Sequence, residues 1–522
     1  MALWLLIAGC VRVAPGDLMV SVAGPLLNGD PLDVTVDGAV SSWTLSDGAR
    51  TEWVDPDEAI AWPRPAVLTL SAHDPPGVVR ARTEVLALGR EVMWGDLHAH
   101  SNLSHDGCEV VDEDCADRGS VAAEDFFERA RDADLDFTAL TDHAEYASYH
   151  ADGDPTSEGV DIWTEQQQRV QEAEADDFVP LLGYEWTLAK DHELDDQGHW
   201  EGGHKTVVLG ETAACDDYRV PAPHLEFDYA KGAGTTGVSV PREDEGVGSA
   251  AALYERLRAA RASCGDQEVV AFAHHPAWSV PQATDFSSAL YDPDPDFERL
   301  VEIASEHGDS ECYDPTDEAC GWWPKAGVDY RPAGSVQSAL REGFHVGFVG
   351  GTDSHDASPG SLDDPSCTAK FEDTDGDGSP DTPMCHGWGG TLTGVLVDAF
   401  GREPLFRGLD ARSTLVTSGP RVTPRAALVA DGHLYLPGEA VPVGAVRIAA
   451  WVPEHGADWT VMELVDPLGT VRASSDGLRL DVEVELTDSD DALYLRIRTE
   501  VEGVEHRLWA SPWFGQATSD QR

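Results

Sequence analysis

The stretch VAAEDFFERARDADLDFTALTDH, residues 121–143, decides the fold class that we expect. Its first part has the apolar spacing of an amphipathic helix, and its second part is a short apolar run typical of a strand. The same alternation continues from about residue 91 to residue 415. Because strands that alternate with helices form a layered or closed sheet, the pattern predicts an α/β layer or barrel.

The regions on either side of 91–415 have strand patterns without helices. Residues 11–90 combine a tether with short β-like runs such as AVLTL and EVLAL, which predicts a small β-rich N-terminal segment. After residue 416, short alternating runs such as VRIAAWV, LRLDVEVEL and ALYLRIRTEV take over. They predict a C-terminal β-sandwich over 416–522.

Length and charge exclude several classes of protein. At roughly 100 to 200 residues per domain, 522 residues allow two to four domains with a large core. The chain has 35 Lys and Arg against 96 Asp and Glu, a formal net charge of −61. Such a field repels phosphate backbones and anionic lipid headgroups, so we expect no nucleic-acid partner.

The first ten residues, MALWLLIAGC, resemble the lipobox of a bacterial lipoprotein signal peptide. This resemblance implies a signal over 1–10, lipidation of Cys10 and a place in the bacterial cell envelope outside the cytoplasm, periplasmic or at the cell surface. The lipid would be the only contact with a membrane. A buried N-terminal strand is the alternative interpretation.

The eight cysteines other than Cys10 predict disulfides. Their spacing favours four pairs, Cys108–Cys115, Cys215–Cys264, Cys312–Cys320 and Cys367–Cys385. A zinc site built from thiolates is the alternative, but the sequence has no CxxC and the pairs lie far apart. Disulfides also agree with an oxidising compartment.

The acidic segment DTDGDGSPD, residues 373–381, predicts a structural Ca²⁺ site formed by Asp373, Asp375, Asp377 and Asp381. Alternating aspartates place carboxylates on one side of a tight loop, and glycine permits the turn. A solvated acidic loop without an ion is the alternative.

His98 and His100 are separated by one residue after a short apolar run. In a strand this spacing points both imidazoles to one face, and Asp106 could fold back to the same point. On its own an HxH pair is more often structural than metal-binding.

The same arrangement recurs along the chain, and this recurrence favours a metal site. Strand-like runs lead to Asp142-His143, Glu185, His204, His274-His275, Glu302 with Glu306-His307, and Asp353 with His355. In α/β barrels such strand ends converge on one cleft. Mixed His and carboxylate ligation suits Zn²⁺, Mn²⁺ or Fe²⁺, and so many ligands suit two or three ions.

The motifs DLHAHSNLSHDG, LTDHAE, GYEWT, AHHP and GGTDSH resemble those of the PHP (polymerase and histidinol phosphatase) superfamily. GGHKTVVL, VEIASEHGDSE, RSTLVTSGPRV and WASPWF are similar to its DUF3604 group, so the resemblance covers roughly 91–515. It implies a distorted (β/α)7 barrel with a polynuclear metal cleft that hydrolyses phosphoesters.

The resemblance also implies roles for individual residues. The metal ligands would be His98, His100, Asp106, His143, Glu185, His275, Asp353 and His355, with His274 as a further ligand or as a support for one. His204 and His307 would be ligands, acid catalysts or substrate contacts. Lys205 and Arg421 are candidate anion contacts, but a surface ion pair is the favoured interpretation of each.

We therefore expect an exported hydrolase in which a metal-bound hydroxide attacks phosphate mono- or diesters carried by small molecules or glycans. A metal-dependent sulfate-ester hydrolase is one alternative, since sulfate is also a tetrahedral oxyanion. A non-catalytic, calcium-stabilised surface lipoprotein is the other. The last alternative predicts decayed ligand motifs, whereas the motifs quoted above are intact.

Overall fold

The structure is a computed structural model, and it describes part of the chain. The described residues are 19–22, 24–32, 34–37, 40, 42–73, 76, 79–101, 103, 123–144, 162–188, 203–220, 249–277, 284–287, 291, 293–305, 307–312, 332–354, 357–360, 390–453, 455–457, 459–487, 492–501 and 504–516. Several residues of the sequence predictions lie outside them: Cys10, Asp106, Cys108, Cys115, Cys320, His355, Cys367, Asp373, Asp375, Asp377, Asp381 and Cys385.

Strands dominate this part of the chain. They are β1 Met19–Val22, β2 Val34–Asp37, β3 Ser42–Ser46, β4 Thr51–Val54, β5 Ala66–His73, β6 Val79–Ala87, β7 Glu91–Asp96, β8 Phe137–Leu140, β9 Val179–Leu188, β10 Gly203–Leu209, β11 Val269–His274, β12 Glu298–Ser305, β13 Gly308–Asp309, β14 Gly347–Gly350, β15 Leu392–Val397, β16 Thr414–Thr417, β17 Arg425–Ala430, β18 His433–Tyr435, β19 Ala440–Pro442, β20 Gly444–Trp451, β21 Trp459–Val465, β22 Val471–Asp476, β23 Arg479–Leu486, β24 Ala492–Val501 and β25 Val504–Gln516. The helices are α1 Ala123–Asp132, α2 Ile162–Ala173, α3 Ala250–Cys264, α4 Val336–Arg341 and α5 Arg402–Asp410.

The predicted α/β class with a (β/α)7 barrel is wrong. Strands account for 47% of the structure and helices for 17%, and no closed barrel is found among the described residues. The local prediction for residues 121–143 is right, since α1 and β8 lie there. The class is wrong because β10 lies between β9 and β11 and pairs antiparallel with both, instead of belonging to parallel βαβ units.

The largest sheet has fifteen strands, in the order β13-β12-β11-β10-β9-β8-β7-β15-β16-β25-β24-β21-β22, with β14 beside β12 and β19 beside β25. The sheet is mixed, with parallel pairs such as β7–β8 and β11–β12 and antiparallel pairs such as β7–β15. Two four-stranded sheets, β4-β3-β5-β6 and β18-β17-β20-β23, and the pair β1–β2 complete the strands described.

The large sheet continues directly into the C-terminal strands, because β16 pairs with β25. The predicted C-terminal β-sandwich is therefore not a separate pair of sheets, and its boundary at residue 416 falls inside β16. The division of the chain into 11–90, 91–415 and 416–522 stays a prediction.

Side chains of the large sheet alternate between two cores, as strand geometry requires. On β9, Tyr184 and Trp186 lie in the core that also contains buried residues of α1, α2 and α3. Leu181 packs with residues of α5, such as Phe406, on the opposite face. Glu185 is four residues after Leu181 on the same strand, so its side chain lies on that second face of the sheet, at the end of the apolar core there.

The disulfide Cys215–Cys264 joins the segment after β10 to the end of α3, which confirms this predicted pair. Cys312 is also disulfide-bonded. None of the helices described above has the length and apolar character that a membrane crossing needs.

Candidate metal centre

His98 and His100 follow β7 directly, and backbone hydrogen bonds hold them beside the segment that follows β14. The amide of Asp353 donates to the carbonyl of His98 at 2.7 Å, and the amide of His100 donates to the carbonyl of Ser354 at 2.8 Å. Ala99, between the two histidines, is buried in the opposite direction within the helix-covered core. The predicted one-face arrangement is confirmed, since the Nε2 atoms of His98 and His100 lie 3.2 Å apart.

Two carboxylates complete a compact group of four donor atoms. The Nε2 of His98 lies 3.3 Å from Glu185 Oε2 and 3.4 Å from Asp353 Oδ1. The Nε2 of His100 lies 3.3 Å and 3.2 Å from the same two oxygens. His143 lies beside this group, with its Nδ1 3.5 Å from Glu185 Oε2 and its ring centroid 4.8 Å from that of His100.

The second oxygen of each carboxylate faces a different set of histidines. Glu185 Oε1 lies 2.5 Å from His204 Nδ1. Asp353 Oδ2 lies 3.2 Å from His274 Nε2 and 2.8 Å from His307 Nε2. His275 completes this second set, with its ring centroid 3.8 Å from that of His274 and 4.7 Å from that of His204.

The donor atoms are close enough together to hold a metal ion. Zinc bonds of about 2.0 to 2.1 Å place the donors of a tetrahedral site roughly 3.3 Å apart. The five distances among His98, His100, Glu185 and Asp353 are 3.2–3.4 Å. Overlapping groups with room for an ion are His98 with Glu185, His274 and Asp353; His100 with His143 and Glu185; and His204 with His274 and His275.

Burial and the charges of neighbouring groups shift the pKa values of several donor residues strongly. Burial opposes protonation of His98, but Asp353, Glu185 and Glu302 outweigh it and raise its pKa well above the usual range. Burial favours the neutral form of Glu185, yet the surrounding histidines hold its pKa well below the usual range. Burial, together with neighbouring histidines, lowers the pKa of His275. Positive charge is therefore strongly attracted to the carboxylates.

Two of the donor residues have unusual backbone conformations. His275 has φ 29° and Asp353 has φ 53°, in the left-handed region that side chains other than glycine rarely adopt. Each position costs of order 1–3 kcal/mol, and such strain is concentrated at functional sites.

Three side chains orient the histidines, and sequence reasoning missed the two threonines among them and gave Glu302 no role of its own. Thr206 Oγ1 lies 3.2 Å from His98 Nδ1, and Thr187 Oγ1 lies 2.6 Å from His143 Nδ1. Glu302 Oε1 lies 2.8 Å from His274 Nδ1. A signal was available for both threonines, because Thr187 and Thr206 stand two residues after Glu185 and His204 on the same strands.

Asp96 is a further buried residue that holds the candidate metal centre in place, and the sequence did not indicate this role. It accepts hydrogen bonds from Thr352 Oγ1 at 2.5 Å and from the backbone amides of His98, Thr352 and Gly360. Burial raises its pKa to about 6. The carboxylate thereby ties the end of β7 to the segment that carries Asp353.

Lys205 and Arg421 do not contact the donor atoms. Lys205 points to the other face of β10, where its Nζ donates to Glu298 Oε1 at 2.6 Å in a fully buried pair. Arg421 donates to the backbone carbonyls of Ala133 and Asp134, at the end of α1. The expected surface ion pair is therefore wrong for Lys205, whose pair is buried, whereas Arg421 has one, with its Nη1 3.7 Å from Oδ2 of the exposed Asp134.

Comparisons with known proteins bring no relative, since no family model, no curated protein and no solved structure matches this chain. The site therefore has to be interpreted from its own geometry.

Proposed function

We propose that this chain is a divalent-metal-dependent hydrolase of phosphate mono- or diesters, exported and related to the PHP superfamily. One observation carries the proposal. Glu185 and Asp353 each direct one oxygen to His98 and His100 and the other oxygen to the second histidine set. Carboxylates placed in this way suit two neighbouring cations, which is the arrangement that phosphoryl transfer uses.

The residues fit such ions in number and in chemistry. His98 and His100 would hold one ion together with Glu185 and Asp353, with His143 beside them. His204, His274, His275 and His307 would serve a second position and, with the same carboxylates, leave room for a third. Imidazole and carboxylate donors favour Zn²⁺, Mn²⁺ or Fe²⁺. When bound, such ions neutralise charge on the phosphoryl oxygens and lower the pKa of coordinated water.

The least buried donors indicate the side on which substrate would bind. The side chains of His98 and His100 are fully buried, whereas those of His143, His204 and His307 are exposed by 10%, 8% and 7%. A leaving-group oxygen on that side would lie near His204 and His307. Proton donation by one of them would raise the rate by about 10²- to 10⁴-fold.

Metal removal and an ester panel test the proposal. Full-length protein is treated with a chelator and then supplied with Zn²⁺, Mn²⁺ or Fe²⁺. We expect chelation to abolish hydrolysis of phosphate mono- or diesters and one of these ions to restore it. Asp353→Ala should lose metal and turnover together, while Asp398→Ala, which changes an exposed carboxylate, should keep both. The proposal would be refuted if metal-replete protein hydrolysed no ester above the Asp353→Ala level. If it hydrolysed sulfate esters alone, the protein would be a sulfate-ester hydrolase instead.

Leaving groups separate the roles of His204 and His307. Loss of a proton donor slows esters of poor leaving groups far more than p-nitrophenyl esters, with the metal content unchanged. Loss of a ligand lowers the metal content and slows both kinds of ester. Each alanine variant therefore assigns its histidine to one role.

A further inference from the structure

A second cluster of buried charges joins the segment that follows His307 to the C-terminal strands. Asp309 and Glu311 come from the segment after β12, Arg496 from β24 and Arg507 from β25. None of these four residues is exposed by more than 5%. The site described above uses none of them.

Each arginine pairs with one acidic residue of this segment. Arg507 Nη1 donates to Asp309 Oδ2 at 2.9 Å, and Arg496 Nη1 donates to Glu311 Oε1 at 2.9 Å. Arg507 Nη1 also lies 3.7 Å from Glu311 Oε2, so the two pairs form one network. Asp309 uses its other oxygen to accept from the backbone amide of Glu311 at 3.0 Å.

Two further side chains fix Glu311. Tyr494 donates its hydroxyl to Oε1 at 2.6 Å, and Trp509 donates Nε1 to Oε2 at 3.0 Å. Both donors belong to the same strands as the arginines, β24 and β25. The carboxylate of Glu311 is thus anchored entirely by the C-terminal strands.

His307 stands two residues before Asp309, and little freedom remains between them. Gly308 has φ 102°, which only glycine adopts readily, and the chain reverses tightly so that Ser305 pairs with Gly308. At the other end of this short segment, His307 Nε2 lies 2.8 Å from Asp353 Oδ2. The position of Asp309 therefore determines where the imidazole of His307 can lie.

Stability does not account for the network. Removing two charges from water costs several kcal/mol per ion, so a buried ion pair is often no more stabilising than well-packed apolar side chains. The pairs instead define the geometry. If the segment 307–311 shifted along β24 and β25, buried charges would be left without partners.

We infer that Arg496 and Arg507 are positioning residues, which hold the segment 307–311 so that His307 stays against Asp353 at the metal centre. The inference deepens the proposed function, because it assumes that His307 acts on a bound ion. It also makes β24 and β25 part of the working site.

A double-mutant cycle with Co²⁺ tests the inference. The paired change Arg507→Met with Asp309→Asn removes both charges together, so no buried charge is left uncompensated, and the amide oxygen can still accept from Glu311. Full-length protein is freed of metal with a chelator and titrated with Co²⁺ alone, and binding is followed by the visible absorption of the ion. We compare the Co²⁺ affinity of three variants: the paired variant, His307→Ala and the combination of both.

We expect the paired variant and His307→Ala each to weaken Co²⁺ binding by about 10- to 100-fold, the usual effect of losing a residue that orients a ligand. The combined variant should bind Co²⁺ no more weakly than His307→Ala alone, because both changes act through the same imidazole. The control is Arg447→Met with Asp481→Asn, which removes a bidentate and partly exposed Arg–Asp pair between β20 and β23. It should leave Co²⁺ binding unchanged.

Three results would overturn the inference: losses that multiply in the combined variant, unchanged Co²⁺ binding in the paired variant or in His307→Ala, and a control pair that weakens binding equally. The titration does not depend on turnover. A protein that binds Co²⁺ as expected but hydrolyses no ester refutes the proposed function and leaves the positioning role standing.

Discussion

Replacing Thr206 by Val should weaken metal binding although Thr206 is not itself a donor to the ion. Thr206 is fully buried on β10, and its Oγ1 lies 3.2 Å from Nδ1 of His98. With a proton on Nδ1 directed at this oxygen, the lone pair of Nε2 faces Glu185 and Asp353. Valine has a similar shape but no oxygen, so the change removes the partner that fixes the tautomer and orientation of the ring.

The size of the effect follows from the surroundings of Nδ1. Loss of a partner that orients a metal-binding histidine costs about 10- to 100-fold in metal affinity. Here Glu302 Oε2 lies 3.5 Å from the same Nδ1 and can accept its proton. We therefore expect the lower end of that range, about tenfold or about 1.4 kcal/mol.

A Zn²⁺ titration against a chromophoric chelator measures this affinity directly. Thr206→Ser keeps the hydroxyl and should bind Zn²⁺ like the unaltered protein. Thr138→Val removes another fully buried threonine hydroxyl, which donates to the carbonyl of Asp96 at 3.1 Å. It should lower the free energy of unfolding by about 1 kcal/mol and leave the Zn²⁺ affinity unchanged. Equal Zn²⁺ affinity for Thr206→Val and the unaltered protein, or an equal loss in Thr138→Val, would refute the reasoning.

Three further predictions concern stability. Glu298→Gln leaves the fully buried Lys205 ammonium without its 2.6 Å carboxylate partner, and guanidinium denaturation should show a loss of about 3–5 kcal/mol; an unchanged midpoint would contradict it. Replacing Cys215 and Cys264 by Ala opens a loop with a sequence separation of 49, and the same measurement should show a loss of about 4 kcal/mol; equal stability of the two proteins would refute this. Gly308→Ala forces a side chain to adopt φ 102°, and thermal melting should show a loss of about 1–3 kcal/mol, whereas a small effect would mean that the turn relaxes.

The sequence carries more information about the candidate site than about the fold, and the reason is physical. Strand geometry fixes the relation of His98 to His100 within three residues, so their common face can be predicted locally. Histidine is also rare in this chain, with 19 among 522 residues, so its repeated position at strand ends is informative. The spacing of Thr206 from His204 indicates the face of the strand on which Thr206 lies, but not its partner His98, which is 108 positions away in the sequence.

Strand pairing is the information that local patterns lack. GGHKTVVL, residues 202–209, indicates a strand, but nothing in it states that β10 runs antiparallel to both β9 and β11. Helices that alternate with strands predict a parallel sheet, but β10 and β11 pair antiparallel even though α3 lies between them in the chain. Register and direction depend on contacts between distant segments, which a single sequence does not show.

The C-terminal strands are a second case in which the sequence does not show strand pairing, and here the pairing bears on function. The runs ALYLRIRTEV and WASPWF have the alternation of ordinary sandwich strands, and this favours a separate domain. In the structure β25 pairs with β16, and Arg507 on β25 reaches Asp309, two residues from His307. A charged residue is costly to bury without a partner, so the burial of Arg496 and Arg507 requires acidic residues beside them. The sequence cannot say which ones, and their position beside His307 makes these strands a support for the metal centre.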